Sequence, residues 1–540
     1  MDLGAVGGAS NLQLPSNGDL TFGINDSGQV VFFGRTTPSN PSSDVHLKLR
    51  LPVTMFNLSA GIHDLHPLMD PPLPSGFVHS VGTDINNDGK IVGLAGEEIS
   101  NVGDHAEAWL FKVDQTFLQG SAPHIPNESI HPSSIVVASE TESTGCFSVA
   151  HGITNSSPPA IAGTVMRSKC GDDCDRLNPL VGFTYELGGS YVARQVSSGS
   201  RDSFTLSVND ASPRLAVGRD ELTINPMGLC EEGVGQSNCD NFDNDNDGLQ
   251  WSGTSTTPTV LMELGAGSGD QGITSARDVH ADGSAVGLSQ IPFGQQCRPQ
   301  AVYWDANNGV TSLNSVYTSP DNAARAEAIR EIGTSDDLRV VGGDTDSQRG
   351  ILWLRLSDDW CAYDLNDITW KPSGTDQNDG YFVILAHDVN VHGHIVGYGS
   401  APSGVEHAYL LTCAADYNGD FLIDGSDMGI LLALWNCSGC SEDLDGDGAV
   451  GPADLGLLLA SWWDEDEGSP CDVALPTSCS SGFARAGSEE ELEGGGMTLE
   501  EAILSLGFDD ADALATWSLT ASPSELNGVG ITLAMLIGGW

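Results

Sequence analysis

The chain is 540 residues long and carries 21 Lys and Arg against 74 Asp and Glu, a formal net charge of −53. That field repels nucleic acid and anionic membranes, argues against polyanionic ligands and favours cations such as Ca2+. The length suits one large domain with one or two small ones, and 66 Gly, 26 Pro and 7% aromatic residues point to many short strands joined by turns.

From the N-terminus to residue 412 one phrase recurs: a short apolar strand, a turn of Asn, Asp, Gly or Ser, and a strand ending in Val/Ile-x-Gly or a close variant. The first copy is Gly23-Ile24-Asn25-Asp26-Ser27-Gly28-Gln29-Val30-Val31, and the second runs from Asp84 through Ile85-Asn86-Asn87-Asp88-Gly89 to Gly93. Further copies centre on Ile153, Val208, Val279, Ile329 and Val389, at a mean interval of about 61 residues. Apolar alternation around such a turn is a hairpin signal. A second strand signal with a bulky centre follows each phrase, as at Ala108-Trp109-Leu110-Phe111 and Ala301-Val302-Tyr303-Trp304. A short strand ending in Leu comes next, as at Met262-Glu263-Leu264. Two hairpins per repeat make a four-stranded antiparallel unit. Seven units predict a mainly β fold, a seven-bladed β-propeller over residues 1–413. The last unit is one strand short, while Met1-Asp2-Leu3-Gly4-Ala5 nearly repeats the text at 262–266. The N-terminal strand is therefore expected to complete blade seven and remove an open sheet edge.

In such a ring the strand 1–2 and 3–4 turns share one face, and the 2–3 loops and blade crossings share the other. The recurrent Asn/Asp/Gly turns are short 1–2 turns. The long segments 35–45, 113–148, 164–180, 219–248 and 314–325 are all assigned to the second face, as a ligand surface or as mere decoration. One of them places Asp243, Asp245 and Asp247 before Gly248, a Ca2+-loop start without its acidic twelfth residue. It reads either as a third calcium site or as a solvated acidic loop. Catalytic signals are thin, since Gly-x-Ser-x-Gly, His-Glu-x-x-His and P-loop patterns are all missing. Paired carboxylates of the glycosidase kind stay open, because a sequence fixes no distances. His387, His392 and His394 read as exposed turn residues. Trp109, Trp251, Trp304 and Trp353 share one repeat phase and read as blade packing. Twelve cysteines in loop-like contexts suit disulfides in an oxidising compartment better than zinc, because no CxxC…CxxC pair has suitable spacing.

The phrase, together with His407-Ala408-Tyr409 and Leu3-Gly4-Ala5-Val6-Gly7-Gly8, resembles the HAF-type repeat of bacterial extracellular proteins. The resemblance spans about three quarters of the chain. It implies a propeller outside the cell and is nearly silent on chemistry.

Beyond the repeats, a twelve-residue acidic loop with its apolar helix appears twice, the copies starting 27 residues apart. The first loop places Asp416, Asn418, Asp420, Asp424 and Asp427 at oxygen-bearing positions, with the Leu422 carbonyl at position seven. The second places Asp443, Asp445, Asp447 and Asp454, with the Ala449 carbonyl. These are the hard ligands an EF-hand-type loop wraps around Ca2+, so two Ca2+ sites are expected, the Asp243 loop staying open between a third site and a solvated acidic loop. Each loop runs into an apolar segment of helix length, 428–435 and 455–463. The arrangement resembles the dockerin module of bacterial secreted proteins, over about a tenth of the chain, and assigns residues 414–465 to it. Dockerins that plug into a cohesin usually carry hydroxyl residues at loop positions ten and eleven and basic residues along the helix. Here Gly425-Ser426 and Pro452-Ala453 stand at those positions, which counts against a cohesin-like partner.

Residues 466–497 read as an acidic, Gly-rich linker and 498–540 as a short helical segment of unread role. The apolar 529–540 stretch is too short for a membrane span, and nothing before Asp2 reads as an export signal. A longer precursor with its signal upstream would reconcile this with an extracellular location. The sequence thus leads to a secreted, non-enzymatic, calcium-binding propeller that contacts a polysaccharide or surface-protein ligand. Two alternatives remain: a secreted polysaccharide-degrading enzyme or accessory, and a structural cell-surface protein.

Overall fold

The structure, a computed structural model, describes residues 1–6, 21–37, 40, 43–97, 106–132, 147–166, 180–194, 201–222, 247–264, 274–293, 296–313, 323–332, 338–344, 348–356, 359–368, 382–412, 415–417, 423, 425–437, 444 and 449–460. The chain opens with β1 (Asp2–Ala5). Blade 1 is β2 (Gly23–Ile24), β3 (Val30–Arg35), β4 (Val45–Leu51) and β5 (Gly61–Asp64). Blade 2 follows a short β6 (Met69–Asp70) and contains β7 (His79–Ile85), β8 (Lys90–Gly96), β9 (Ala106–Lys112), β10 (Phe117–Gln119) and β11 (Ala122–Ser129). Blade 3 is β12 (Ser148–Ile153), β13 (Ala160–Met166), β14 (Leu180–Glu186) and β15 (Tyr191–Arg194). Blade 4 is β16 (Arg201–Val208), β17 (Leu215–Leu222), β18 (Gly248–Ser252) and β19 (Thr259–Val260). Blade 5 is β20 (Thr274–Val279), β21 (Ala285–Phe293), β22 (Gln296–Trp304) and β23 (Val310–Ser312). Blade 6 is β24 (Ala324–Glu331), β25 (Leu338–Asp344), β26 (Arg349–Leu356) and β27 (Asp359–Asp364), followed by α1 (Leu365–Ile368). Blade 7 is β28 (Phe382–Val389), β29 (Ile395–Ser400) and β30 (Glu406–Leu411), with β1 as its outer strand.

Each blade packs on the next around a closed ring, the last seam joining β28 to β2. The fold is a seven-bladed β-propeller. Its closure is the expected one: Asp2 pairs with Tyr409 and Ala5 with His407, and Met1 N–H3+ donates to the Leu410 carbonyl at 2.7 Å. Apolar side chains of facing sheets fill the seams, and Trp251, Trp304 and Trp353 are fully buried there, with Trp109 nearly so. The shared repeat phase of these tryptophans is therefore blade packing, as expected. Among the long segments, 113–148 needs correction. Its first part holds β10 and β11, and β11 pairs with β9 as the fourth strand of blade 2. A hairpin inserted between strands three and four puts that part on the short-turn face.

The inner strands share one irregularity. In blades 2 to 7 the register with strand two slips by one residue at the same place, between Gly82 and Asp84, Ala150 and Gly152, Thr205 and Ser207, Ala276 and Asp278, Ala326 and Ala328, and Ala386 and Asp388. A bulge pushes one extra residue out of the ladder and re-aims its side chain. It also folds the inner backbone onto strand two. A Cβ at Gly93 would lie 1.9 Å from the Val81 carbonyl, and at Gly287 2.0 Å from that of Ser275. Gly163, Gly218, Gly342 and Gly397 are in the same position. Blade 1 has no bulge in its two-residue β2, and there Phe32 stands where the others have glycine. The Val-x-Gly ending of the repeat is thus the imprint of the bulge.

α2 (Gly425–Ala433) and α3 (Pro452–Ala460) pack on each other after the propeller. No helix among the described residues is long and apolar enough to cross a membrane.

Candidate functional site

In blades 2 to 7 the bulges bring two consecutive residues to a common cavity. Thr83 and Asp84, His151, Leu206 and Ser207, Arg277 and Asp278, Glu327, and His387 and Asp388 line a central cavity with Phe22 and Arg330. Its volume is about 70 Å³, well below the roughly 300–1,000 Å³ of a small-molecule site.

Hydrogen bonds explain why the repeat places Asp and Asn here. Asp84 accepts from its neighbour Ile85 at 2.7 Å and from Ile153 of blade 3 at 2.8 Å. Asp278 accepts from Val279 and from Ile329 of blade 6, at 2.8 and 3.0 Å. Asp388 accepts from Val389 and from Ile24 of blade 1, at 2.8 and 2.9 Å. Two residues further on, Asn25, Asn86, Asn209 and Asn390 each donate from Nδ2 to a carbonyl of the following blade. Their Oδ1 atoms accept from the backbone across their own 1–2 turn, as Asn86 does from Lys90 N–H at 2.9 Å. One carboxamide closes a hairpin and staples two blades.

Blades 3, 5 and 6 depart from this pattern with Thr154, His280 and Arg330, and Arg330 brings a charge. Burial works to lower its pKa, but Asp388, Asp278, Asp84 and Asp26 hold it above the ordinary guanidinium value. Burial and then the charge of Asp388 push Asp84 up to about 8. Burial raises Asp388 to about 6 against the pull of Arg330. Burial, followed by Arg325 and Arg277, holds His387 down to about 3. Below this layer Glu327 takes an ion pair from Arg325 at 2.6 Å and a longer one from Arg277 at 3.8 Å. The layer therefore presents carboxylates already engaged by backbone donors or arginines.

His387 and His394 are not exposed turn residues as the sequence suggests: they are 6% and 1% exposed. The bulge turns His387 inward, where its Nδ1 accepts from Phe22 N–H at 3.0 Å, and His394 follows the turn back into the sheet. His151, Arg277, Glu327 and Arg330 escaped sequence reasoning. The available signals were Arg330 standing at the Asn position of the phrase and the common phrase position of His151, Arg277 and Glu327, two residues before the Ile or Val centre.

In the paired acidic loops the described residues repeat one geometry. Tyr417 N–H donates to Asp427 Oδ1 at 2.8 Å, and Leu444 N–H donates to Asp454 Oδ1 at 2.6 Å. Each bond joins loop position two to position twelve. Asp454 Oδ2 also accepts from Gly451 N–H. The second loop is tied to the segment that follows α2, with Asn436 N–H on the Val450 carbonyl and Val450 N–H on the Cys437 carbonyl. Asp416, Asp427 and Asp454 are buried, which is costly for carboxylates unless their charge is balanced. Asn418, Asp420, Leu422, Asp424, Asp443, Asp445 and Asp447 lie outside the described residues, while Ala449 is described. At the suggested third site Asp243 and Asp245 also lie outside them. Asp247 exchanges backbone bonds with Asp220, its N–H on Asp220 Oδ1 at 2.7 Å and its carbonyl taking Asp220 N–H at 3.0 Å.

No family model matches the chain, and no curated protein does. Among solved structures it is similar to Trypanosoma rangeli sialidase in complex with the inhibitor DANA, at 9% identity and a TM-score of 0.32, over 60% of this chain and 53% of that one. It is also similar to an exo-beta-1,3-galactanase from Clostridium thermocellum, at 10% identity and a TM-score of 0.23, over 48% of this chain and 57% of that one. The chain thus spans about half the length of these structures. The fold assignment rests on strand pairing rather than on these likenesses.

Proposed function

We propose that the chain is an extracellular, non-enzymatic, calcium-binding protein: a HAF-type repeat propeller that presents a surface to a polysaccharide or protein ligand, with a dockerin-like module appended. The observation that supports it best is the state of the channel. Its carboxylates are engaged by neighbouring blades or arginines, and the space between them is too small for a sugar ring, so the propeller serves as scaffold. Calcium would be held by Asp416, Asn418, Asp420, the Leu422 carbonyl, Asp424 and Asp427, and by Asp443, Asp445, Asp447, the Ala449 carbonyl and Asp454. The repeated bond from loop position two to the position-twelve carboxylate fits such a donor set, and bound Ca2+ would balance the buried charge.

Calorimetric titration of the EDTA-treated full chain tests the metal claim. Two Ca2+ equivalents are expected, three if the Asp243 loop also binds, and D427A with D454A should abolish two. Absence of heat would remove the claim. Binding to a glycan panel without release of reducing sugar is expected for the scaffold reading.

The enzyme reading keeps one specific observation in its favour, since strongly raised carboxyls beside a cavity mark many active sites. Sugar release that disappears in D84N and D388N would establish it.

A further inference from the structure

The hairpin β10–β11, inserted into blade 2, stands on the short-turn face, and three ties hold its base. Ile125 and Pro126 of β11 pair in parallel with Met69 and Asp70 of β6. Asn127 Nδ2 donates to the Pro71 carbonyl at 2.8 Å, and Asn57 Nδ2 of blade 1 donates to the Thr116 carbonyl at 2.7 Å. Beyond these ties all three residues of β10 are open to solvent, Phe117 at 41% and Leu118 at 55%. Phe117 is the one aromatic ring among the exposed large apolar side chains of the described residues. An exposed ring on a rigid base loses little freedom when a ligand covers it.

Register sorts the two faces of the hairpin. Phe117 stands opposite His124 and Gln119 opposite Ala122, so these four share one face, while Leu118 and Pro123 lie on the other. The Phe117 and His124 rings stack at 5.5 Å between centroids and 17° between planes. That stack fixes the Phe117 ring and covers one side of it, so its exposure falls on the other side and the edge. Polar groups border the ring. Gln119 is exposed two residues on, and Asp70 Oδ2 lies 3.7 Å from His124 Nδ1, with those two side chains 37% and 29% exposed.

We propose that the Phe117 face of this hairpin is a sugar-stacking subsite that takes an uncharged pyranose unit of a polysaccharide; it rests on the polysaccharide reading above and moves the ligand surface to the short-turn face. A pyranose presents a C–H face that fits the electron-rich face of an aromatic ring, and its hydroxyls need donors and acceptors at the rim. A carboxamide, an imidazole and a carboxylate around one phenyl ring supply that pattern. A protein anchor wants a pocket of apolar side chains, whereas Leu118, the other exposed apolar residue here, is turned to the opposite face. Asp70 and the net charge of −53 disfavour uronic and sulfated sugars.

Calorimetric titration of the full chain with cellohexaose, xylohexaose, laminarihexaose and mannohexaose, and with hexagalacturonate as the charged probe, tests the subsite. At least one uncharged hexaose is expected to bind, and more tightly than hexagalacturonate. F117A should weaken that binding about tenfold or more, while F117W keeps it and L118A changes it by less than about twofold. Phe117 is exposed, so these variants should melt with the unaltered chain. Binding that F117A leaves intact overturns the proposal and spares the polysaccharide reading, because the ligand then sits elsewhere. Failure of every hexaose to bind removes both. A preference for hexagalacturonate overturns the proposed sugar class. Equal losses in F117A and L118A, or a dimer in sedimentation that F117A dissociates, would make the hairpin an apolar docking arm and overturn the proposal as well.

Discussion

A single Asn in the repeat performs two tasks, and only one of them is visible in a linear text. Asn86 reads as a turn residue because Asn beside Asp and Gly favours a tight hairpin. Its Nδ2, however, reaches the Thr154 carbonyl of the next blade, a residue 68 positions away. The same limit applies to Asp84, Asp278 and Asp388, which nothing separates from the other acidic residues until the bulges gather them. Asn86 is 1% exposed, so its loss leaves buried backbone groups without a partner. N86A should cost about 2–3 kcal/mol of unfolding free energy in urea, while N87A, at the exposed turn tip, should cost under about 1 kcal/mol. Equal costs at the two sites would show that the staple contributes nothing beyond its turn.

Among the elements, the inner strand and its partner are read together or not at all. The glycine that ends each phrase is plain in the sequence, yet its reason is not, because the clash belongs to the opposite strand. Phe32 provides the control. It occupies the glycine position in the one blade whose inner strand lacks a bulge, which ties the residue to the distortion rather than to strand two itself. G287A should therefore force the Ser275 carbonyl away and straighten β20, turning Arg277 and Asp278 off the axis. A loss of about 3 kcal/mol or more is expected from denaturant unfolding. G456A, with open space around its Cβ in α3, should instead be neutral or stabilising by up to about 1 kcal/mol. A small effect at Gly287 would mean that the bulge is soft and that the channel ring is not fixed by it.

For the molecule as a whole, ring closure was legible because the N-terminal text duplicates the end of another repeat, and text that repeats folds alike. The paired acidic loops were equally plain, since liganding oxygens recur at fixed spacing. The channel was not, because its members stand at the same two phrase positions but change residue type from blade to blade, and neither burial nor charge balance can be read along a line. Closure by β1 gives the molecule a seam made of four residues and one irregular register, where other blades have continuous hairpins. Removing residues 1–5 would leave β30 as an open edge with a row of unpaired amides, a template for pairing with a second copy. Such a chain should melt several degrees lower, since even about 2 kcal/mol is a measurable shift for a domain of this size. It should also form concentration-dependent dimers in sedimentation, despite the repulsion of a net charge of −53. A synthetic peptide spanning residues 1–6 should restore the monomer by refilling the edge. If the truncated chain stays monomeric with an unchanged melting temperature, β1 is an ornament on blade 7 and the ring is held by its inner staples alone.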